Sequence, residues 1–295
     1  MKKAFLQLHL AVFLAGFTAI LGKLIILQEG WLVWYRLFFT VSILSLMMVR
    51  RRELILLPLR DIFRIFLIGL VVAVHWLTFY GSIKYSNASI ALVCLAANGF
   101  FTAILEPLLV NRRISIAELL LGLLGLAGIY VIFDFHPQYF LGIIFGLISA
   151  LGSAIFPVLN KRMLTKYTPR TITFYELAGA WIGLTALLPF YHDWFPAPEY
   201  LPSAMDVFWL LILSILCTIF SFDLQLKALR HLSAFTSNLS YNLEPVYGII
   251  LAFLVLNEGK FLHSGFYWGL LIVASAVGLQ MLREAYGIKK IEEKV

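Results

Sequence analysis

The sequence predicts an all-α integral membrane protein in which ten transmembrane helices form two inverted five-helix repeats. Three observations carry that prediction. Of the 295 residues, 61% are hydrophobic and only 13% charged, against about 25% charged in soluble domains. The apolar residues gather into ten stretches, each long enough for a helix to cross a ~30 Å hydrocarbon layer with ~20 residues. Five spans per half is an odd number, so a second half that repeats the first must enter the membrane the other way up.

The ten stretches run 4–27, 30–49, 62–84, 86–110, 115–134, 138–160, 171–191, 206–229, 232–256 and 263–283. The first opens MKKAFLQLHLAVFLAGF, and its apolar part exceeds the ~7 to 15 residues of a secretory signal core, so it reads as a helix. Only short polar breaks separate the stretches. The chain is therefore one membrane domain, with a first five-helix repeat at 1–136 and a second at 137–295. Cys94 and Cys217 fall inside apolar runs, where reduced, packed thiols are expected rather than a disulfide.

Orientation follows from Lys and Arg, because basic loops stay cytoplasmic. With the N-terminus inside, 19 of the 23 basic residues fall in cytoplasmic segments, among them Arg50–Arg52, Arg112, Arg113, Lys166 and Arg170. Both termini are then cytoplasmic, in a bacterial-type inner membrane. The long outer loop YHDWFPAPEYLPSAMD is acidic and aromatic, and Trp31, Trp34, Trp194, Trp209 and Trp268 suit an interfacial belt on its side. The net charge of +7 reflects this topology, so no nucleic-acid partner is implied.

A repeat signal supports the two halves. GFTAILGK and AIFPVLNK end alike at Lys23 and Lys161, and residues 88–133 overlay 234–279 with an offset of 146. The small residues Gly122, Gly125, Gly128, Gly142, Gly146, Gly179 and Gly183 recur three or four apart. That spacing allows close helix packing within the chain, and nothing in it selects an oligomer.

The segment NLEPVYGIILAFLVLNEGKFLHSGFYWGLLIVASAVGL, 242–279, carries a Pro in the ninth stretch, an acidic residue at its outer end and a Gly-rich tenth stretch. With the ten-span layout, it resembles the drug/metabolite transporter superfamily, specifically EamA-type permeases, over nearly the whole chain. The resemblance makes Pro245 and Glu258 the matching positions. Their first-half equivalents read Gly99 and Arg112.

Candidate site residues are polar groups that an apolar span tolerates only at a cost. Glu244 lies about 12 residues, or ~18 Å, from either end of its stretch. A charge near the midplane costs ~2.5 to 3.5 kcal/mol on insertion scales, so it should face a cavity or a partner. Pro245 beside it removes a backbone N–H and frees carbonyls of the preceding turn. With Tyr241 and Asn242, the pair describes a helix interrupted at a binding cavity, whose opposite wall would be lined by Asn98. The competing reading is a packing kink with a hydrogen-bonded carboxylate. Arg36, about six residues below the outer surface, is the anion-binding candidate because a guanidinium binds carboxylates in bidentate fashion; its alternative is a structural ion pair. His75, Trp76 and Tyr80 could line the outer half of the cavity, although a satisfied core histidine is the commoner outcome. Glu176 and Asp223, each about six residues from the cytoplasmic face, are coupling or gating candidates or simply partners of Lys161, Arg162, Lys227 or Arg170. Glu106 is expected to pair with Arg112 or Arg113.

No H-E-x-x-H, G-x-S-x-G or nucleotide-binding G-x-x-x-x-G-K-[ST] pattern occurs, which argues against an enzyme and a primary pump. The reading is a secondary carrier exporting small organic metabolites by alternating access. A buried Arg, a mid-depth Glu and many aromatics suit amino acids or their derivatives, and the resemblance implies the same class. The expected partners are that substrate, membrane lipid and a coupling proton on Glu244; no cofactor or metal is implied. A multidrug or amine exporter of the same fold, or a channel or receptor-like protein, are the alternatives.

Overall fold

In the computed structural model, the described residues are 2–110, 114–135, 137–229, 240–241 and 243–292, and they contain helices and no strand. In chain order the helices are α1 (Lys2–Leu24), α2 (Glu29–Arg50), α3 (Leu59–Tyr85), α4 (Ala88–Leu95), α5 (Asn98–Val110), α6 (Ile116–Phe135), α7 (Phe140–Met163), α8 (Pro169–Trp194), α9 (Ala204–Ser214), α10 (Ser221–Leu229), α11 (Glu244–Leu256) and α12 (Ser264–Glu292). A π-helical segment, Ile215–Phe220, joins α9 to α10.

Among the described residues, eight segments are long and apolar enough to cross a membrane, with α4–α5 and α9–α10 each acting as one. Two shorter apolar helices, Ile116–Ile132 and Glu244–Leu256, accompany them. The chain is thus a multi-pass membrane protein. Of the ninth predicted stretch, residues 232–239 and Asn242 lie outside the described residues; Ser240 and Tyr241 are helical, Leu243 is a turn and α11 starts at Glu244. Pro245 occupies the first turn of that helix. There a missing N–H is no loss, because the first turn has no intrahelical acceptor for it. Pro245 stands where the described helix begins.

Local chemistry marks several boundaries. Asn87 accepts from the Ile90 amide at 2.8 Å to cap α4, Thr168 followed by Pro169 opens α8, and Ser203 with Asp206 forms a reciprocal capping box on α9. Such caps satisfy amides that the first turn leaves without partners. Asn257 ends α11 in the left-handed conformation at φ 55°. The next residue, Glu258, reaches back to α4: its carboxylate accepts from the Ala88 and Ser89 amides at 3.0 and 2.8 Å and from the Ser89 hydroxyl at 2.7 Å. This position of the family pattern thus fastens the start of α4 to the end of α11.

Helix α3 packs against α7 and α8, α6 against α12, α2 against α8, and α1 against α10 and α11. Gly16 lets α1 meet α11: a Cβ there would stand 2.9 Å from the Glu244 carbonyl oxygen and 2.9 Å from the Gly248 amide. Small residues at crossings bring backbones close enough for dispersion to hold helices together where no hydrophobic effect operates. Six of the seven glycines singled out in sequence face neighbouring side chains or backbone of this chain, and Gly125 faces open space. Both cysteines are free and buried.

The two ends of the bundle are closed by different chemistry. At the basic end, Arg170 bridges Glu53 at 3.1 Å and Asp223 at 2.9 Å, Lys227 pairs with Asp223, and Asp61 takes Arg64, Lys166 and the Tyr167 hydroxyl. At the aromatic end, the Tyr191 hydroxyl donates to buried Glu29 at 2.8 Å and the Ile26 amide donates to Asp206 at 2.7 Å. Beside them Tyr191 stacks on Phe195, while Tyr85 meets Phe145 and Phe195 edge-on.

Candidate functional site

The polar interior begins with Arg36 on α2, seven residues from the first residue of the helix and 4% exposed. Its guanidinium lies 3.6 Å above the Trp76 ring. Nη1 donates to the Tyr80 hydroxyl at 2.8 Å, while Nη2 and Nε donate to the Thr218 hydroxyl at 3.0 and 3.3 Å. Trp76 and Tyr80 stand four apart on α3 and so share a helix face. Three of the predicted residues are therefore brought together around a cation.

Thr218 had no signal in the sequence. It sits in the π-helical segment, where its hydroxyl donates to the Leu213 carbonyl at 3.0 Å and so turns its lone pairs toward Arg36. The Ser214 hydroxyl, just before that segment, donates to the Arg36 backbone carbonyl at 3.2 Å. The widened turn grips both the main chain and the side chain of Arg36. π-Segments inside α-helices are rare and cluster at functional sites; a hydroxyl in an apolar run gives no hint of one.

The guanidinium has hydroxyl and aromatic partners but no carboxylate within ion-pair distance among the described residues. The structural ion pair considered for it is thus not formed among them. The charge that acts on it is Glu244, whose carboxylate interacts with Arg36 electrostatically from the first turn of α11. Glu244 is only partly buried, and no hydrogen bond or ion pair engages its carboxylate among the described residues. Tyr241 lies within electrostatic reach of Glu244 and packs beside Leu8, Val12 and Ala228. Asn242 falls outside the described residues, as do Arg112 and Arg113, the predicted partners of Glu106.

The sequence offset of 146 that relates 88–133 to 234–279 also relates Asn98 to Glu244. α5 begins at Asn98 after a turn at Ala96–Ala97, and α11 begins 146 residues later at Glu244. Asn98 is half-buried and its Oδ1 accepts from Thr102 at 2.7 Å on its own helix. Both helices thus start 146 residues apart, one with an amide already engaged and the other with an acid that has no hydrogen-bond partner among the described residues.

The remaining candidates stand apart. His75 Nδ1 is 2.8 Å from the Ser149 carbonyl oxygen and 2.9 Å from its hydroxyl. A carbonyl only accepts, so Nδ1 carries the proton and pins α3 to α7. Asp223 forms the ion pairs with Arg170 and Lys227 that the sequence allowed for. Glu176 does not pair with Arg162, Lys227 or Arg170; its carboxylate accepts from Asn160, and the Lys161 side chain lies outside the description. No group of three or more His, Cys, Asp or Glu placed to hold a metal occurs among the described residues.

Known proteins resemble the chain on both levels. A protein of Archaeoglobus fulgidus named an uncharacterized transporter is 28% identical over 60% of this chain and 62% of its own length. Another from that organism is 40% identical over 28% of this chain and 30% of its own length. The chain therefore spans less than two thirds of either of these relatives. An uncharacterized transporter of Haemophilus influenzae is 24% identical over 75% of this chain and 73% of its own. A solved crystal structure shares the fold with a TM-score of 0.63 at 17% identity, covering 96% of this chain and 98% of that one. The model of the EamA-like transporter family matches residues 2–134 and again 140–282, and the chain belongs to that family.

Proposed function

We propose that this transporter is a secondary carrier that moves small zwitterionic metabolites, amino acids or their derivatives, outward across an inner membrane by alternating access, with a proton on Glu244 as the coupling ion. The observation that carries the reading is the pairing of unlike groups in the interior. Among the described residues, a guanidinium held by Trp76, Tyr80 and Thr218 has no carboxylate within ion-pair distance, and the Glu244 carboxylate that acts on it electrostatically has no hydrogen-bond partner. A substrate carboxylate can take a bidentate place on Arg36, and its ammonium can meet Glu244. When Glu244 carries a proton instead, the ammonium loses its partner and leaves. Substrate and proton then compete for one group, which is the simplest form of exchange.

The inverted ten-span arrangement belongs to the same proposal. The tandem family matches support it, as do α5 and α11, which begin 146 residues apart at Asn98 and Glu244. The basic end, with Arg170, Lys166 and Arg64, is then cytoplasmic and its ion pairs with Asp223 and Glu53 are the inner gate. Cysteines introduced near Pro198 should react with an impermeant thiol reagent from outside and those near Arg51 should not. Labelling of both from outside would end the topology.

The functional test is counterflow in proteoliposomes with a panel of amino acids, their amides and their decarboxylated amines. Saturable exchange of the zwitterions, lost when either charge is removed from the cargo, is the expected result. Exchange of the amines alone would move the reading to an amine exporter, and steady non-saturating conductance would replace the carrier with a channel.

A further inference from the structure

Among the buried acids, Glu29, Asp61, Asp206 and Glu258 each have partners beyond one amide, and Glu176 does not. Glu176 on α8 is 5% exposed, seven residues into its helix and about 10 Å from the basic end. Both carboxylate oxygens stand near a single donor, Nδ2 of Asn160 on α7, at 3.1 and 2.9 Å. The other side of that amide is left over: Asn160 Oδ1 is buried with no hydrogen-bond partner. Several charged groups described at this end are engaged with one another. Asp61 holds Arg64, Lys166 and Tyr167, and Arg170 and Lys227 hold Glu53 and Asp223. Among the described residues no Lys, Arg or His stands within ion-pair distance of Glu176, and the Lys161 side chain lies outside the description. Ile65, Ile68, Met163 and Ile172, from α3, α7 and α8, form an apolar cluster in the same layer.

An ionised carboxylate with one amide donor and no cation is expensive to bury, and an amide carbonyl without a donor adds a further cost. One proton removes both. A neutral carboxylic acid is a donor as well as an acceptor, so it can give its O–H to Asn160 Oδ1 while accepting from Nδ2, closing a two-bond ring between acid and amide. We propose that Glu176 and Asn160 form a proton-binding site of their own, distinct from Glu244, that holds a proton in this conformation and exchanges it with the basic end of the bundle. Binding adds one H⁺ to a carboxylate oxygen and removes one negative charge from the interior. Release returns the H⁺ to water when α7 and α8 part enough for solvent to hydrate the carboxylate. Asn160 lies three residues from the end of α7, so the route out is about one helical turn.

The test is infrared difference spectroscopy on the full-length protein in lipid, in H₂O and D₂O, across a pH series. The wild type should show a carboxylic-acid carbonyl band at neutral pH, shifted in D₂O and bleached at alkaline pH. Glu176→Gln should remove that component and Glu244→Gln should keep it. Asn160→Leu should keep the band but shift its frequency, because the acid loses its amide partner; this variant serves if Glu176→Gln folds poorly. Spectra of wild type and Glu176→Gln that superimpose at every pH would overturn the proposal, since the acid would then be ionised throughout. A band that never bleaches while the protein remains folded would overturn it too, because the proton would be a fixed part of the structure. The measurement needs no cargo, so a protein with the band but no flux fails only the carrier reading.

Discussion

Arg36 and Glu244 carry opposite charges in the same interior, yet the bundle treats them differently. Arg36 is enclosed: an indole ring, a phenol and a threonine hydroxyl account for its planar face and three of its N–H directions. Glu244 is exposed in part and has no fixed partner among the described residues. On the proposed carrier mechanism, the difference makes Arg36 the scaffold and Glu244 the switch. A guanidinium keeps its charge under all working conditions and can be built into a wall. A carboxylate can gain or lose a proton, and it can do so only where nothing holds it in one state.

Removing the switch should have the largest effect. Glu244→Gln keeps shape and hydrogen-bonding capacity but removes the charge and the proton site; zwitterion exchange should fall at least tenfold and lose its pH dependence while folded yield stays at the wild-type level. Unchanged flux and pH profile would dissolve the contrast between the two groups.

Weakening the wall comes next. Arg36→Lys retains the charge and loses the planar fork and the stacking on Trp76. Charge-assisted hydrogen bonds contribute about 1.5 to 3 kcal/mol, so KM for carboxylate-bearing cargo should rise roughly 10- to 100-fold. Cargo amides should be affected much less. An equal loss for acids and amides would show that Arg36 organises the bundle and not the cargo.

Thr218→Val removes only the hydroxyl that orients the guanidinium. With about 0.5 to 1.5 kcal/mol for such a neutral partner, KM should rise about 2- to 10-fold, while Thr218→Ser should restore it. Failure of serine to rescue would assign the effect to packing in the π-helical segment.

The smallest effect belongs to Pro245→Ala. In the first turn of α11 the proline replaces no intrahelical hydrogen bond, so the stability change should stay within about 0.5 kcal/mol and flux within about twofold. A large loss of turnover would revive the kink that the sequence suggested.

The candidate site was partly legible because its charged members are anomalies. Arg36 and Glu244 stand out in apolar stretches since hydrocarbon penalises charge, and Trp76 and Tyr80 follow from helical spacing. Thr218 and Asn160 were not legible. An isolated hydroxyl or amide is cheap enough in a span to be common, so its presence says nothing until a partner from another helix arrives. His75 shows the converse: a residue conspicuous in sequence turned out to bond Ser149 across α3 and α7. Pro245 was conspicuous as well, but whether a proline breaks a helix or begins one depends on where the preceding helix ends, which sequence alone leaves undecided.

What the sequence determined by itself is the part governed by transfer between water and hydrocarbon: a helical membrane protein, its apolar segments, the basic end and the interior charges that must have a use. Those quantities are sums over single residues and need no neighbours. Which charge is caged and which is free was decided only by the tertiary structure. Gly16 brings α1 onto the backbone of Glu244, and the π-helical turn carries Thr218 to Arg36. Such pairings join residues more than a hundred positions apart, and they exist only once the helices have packed.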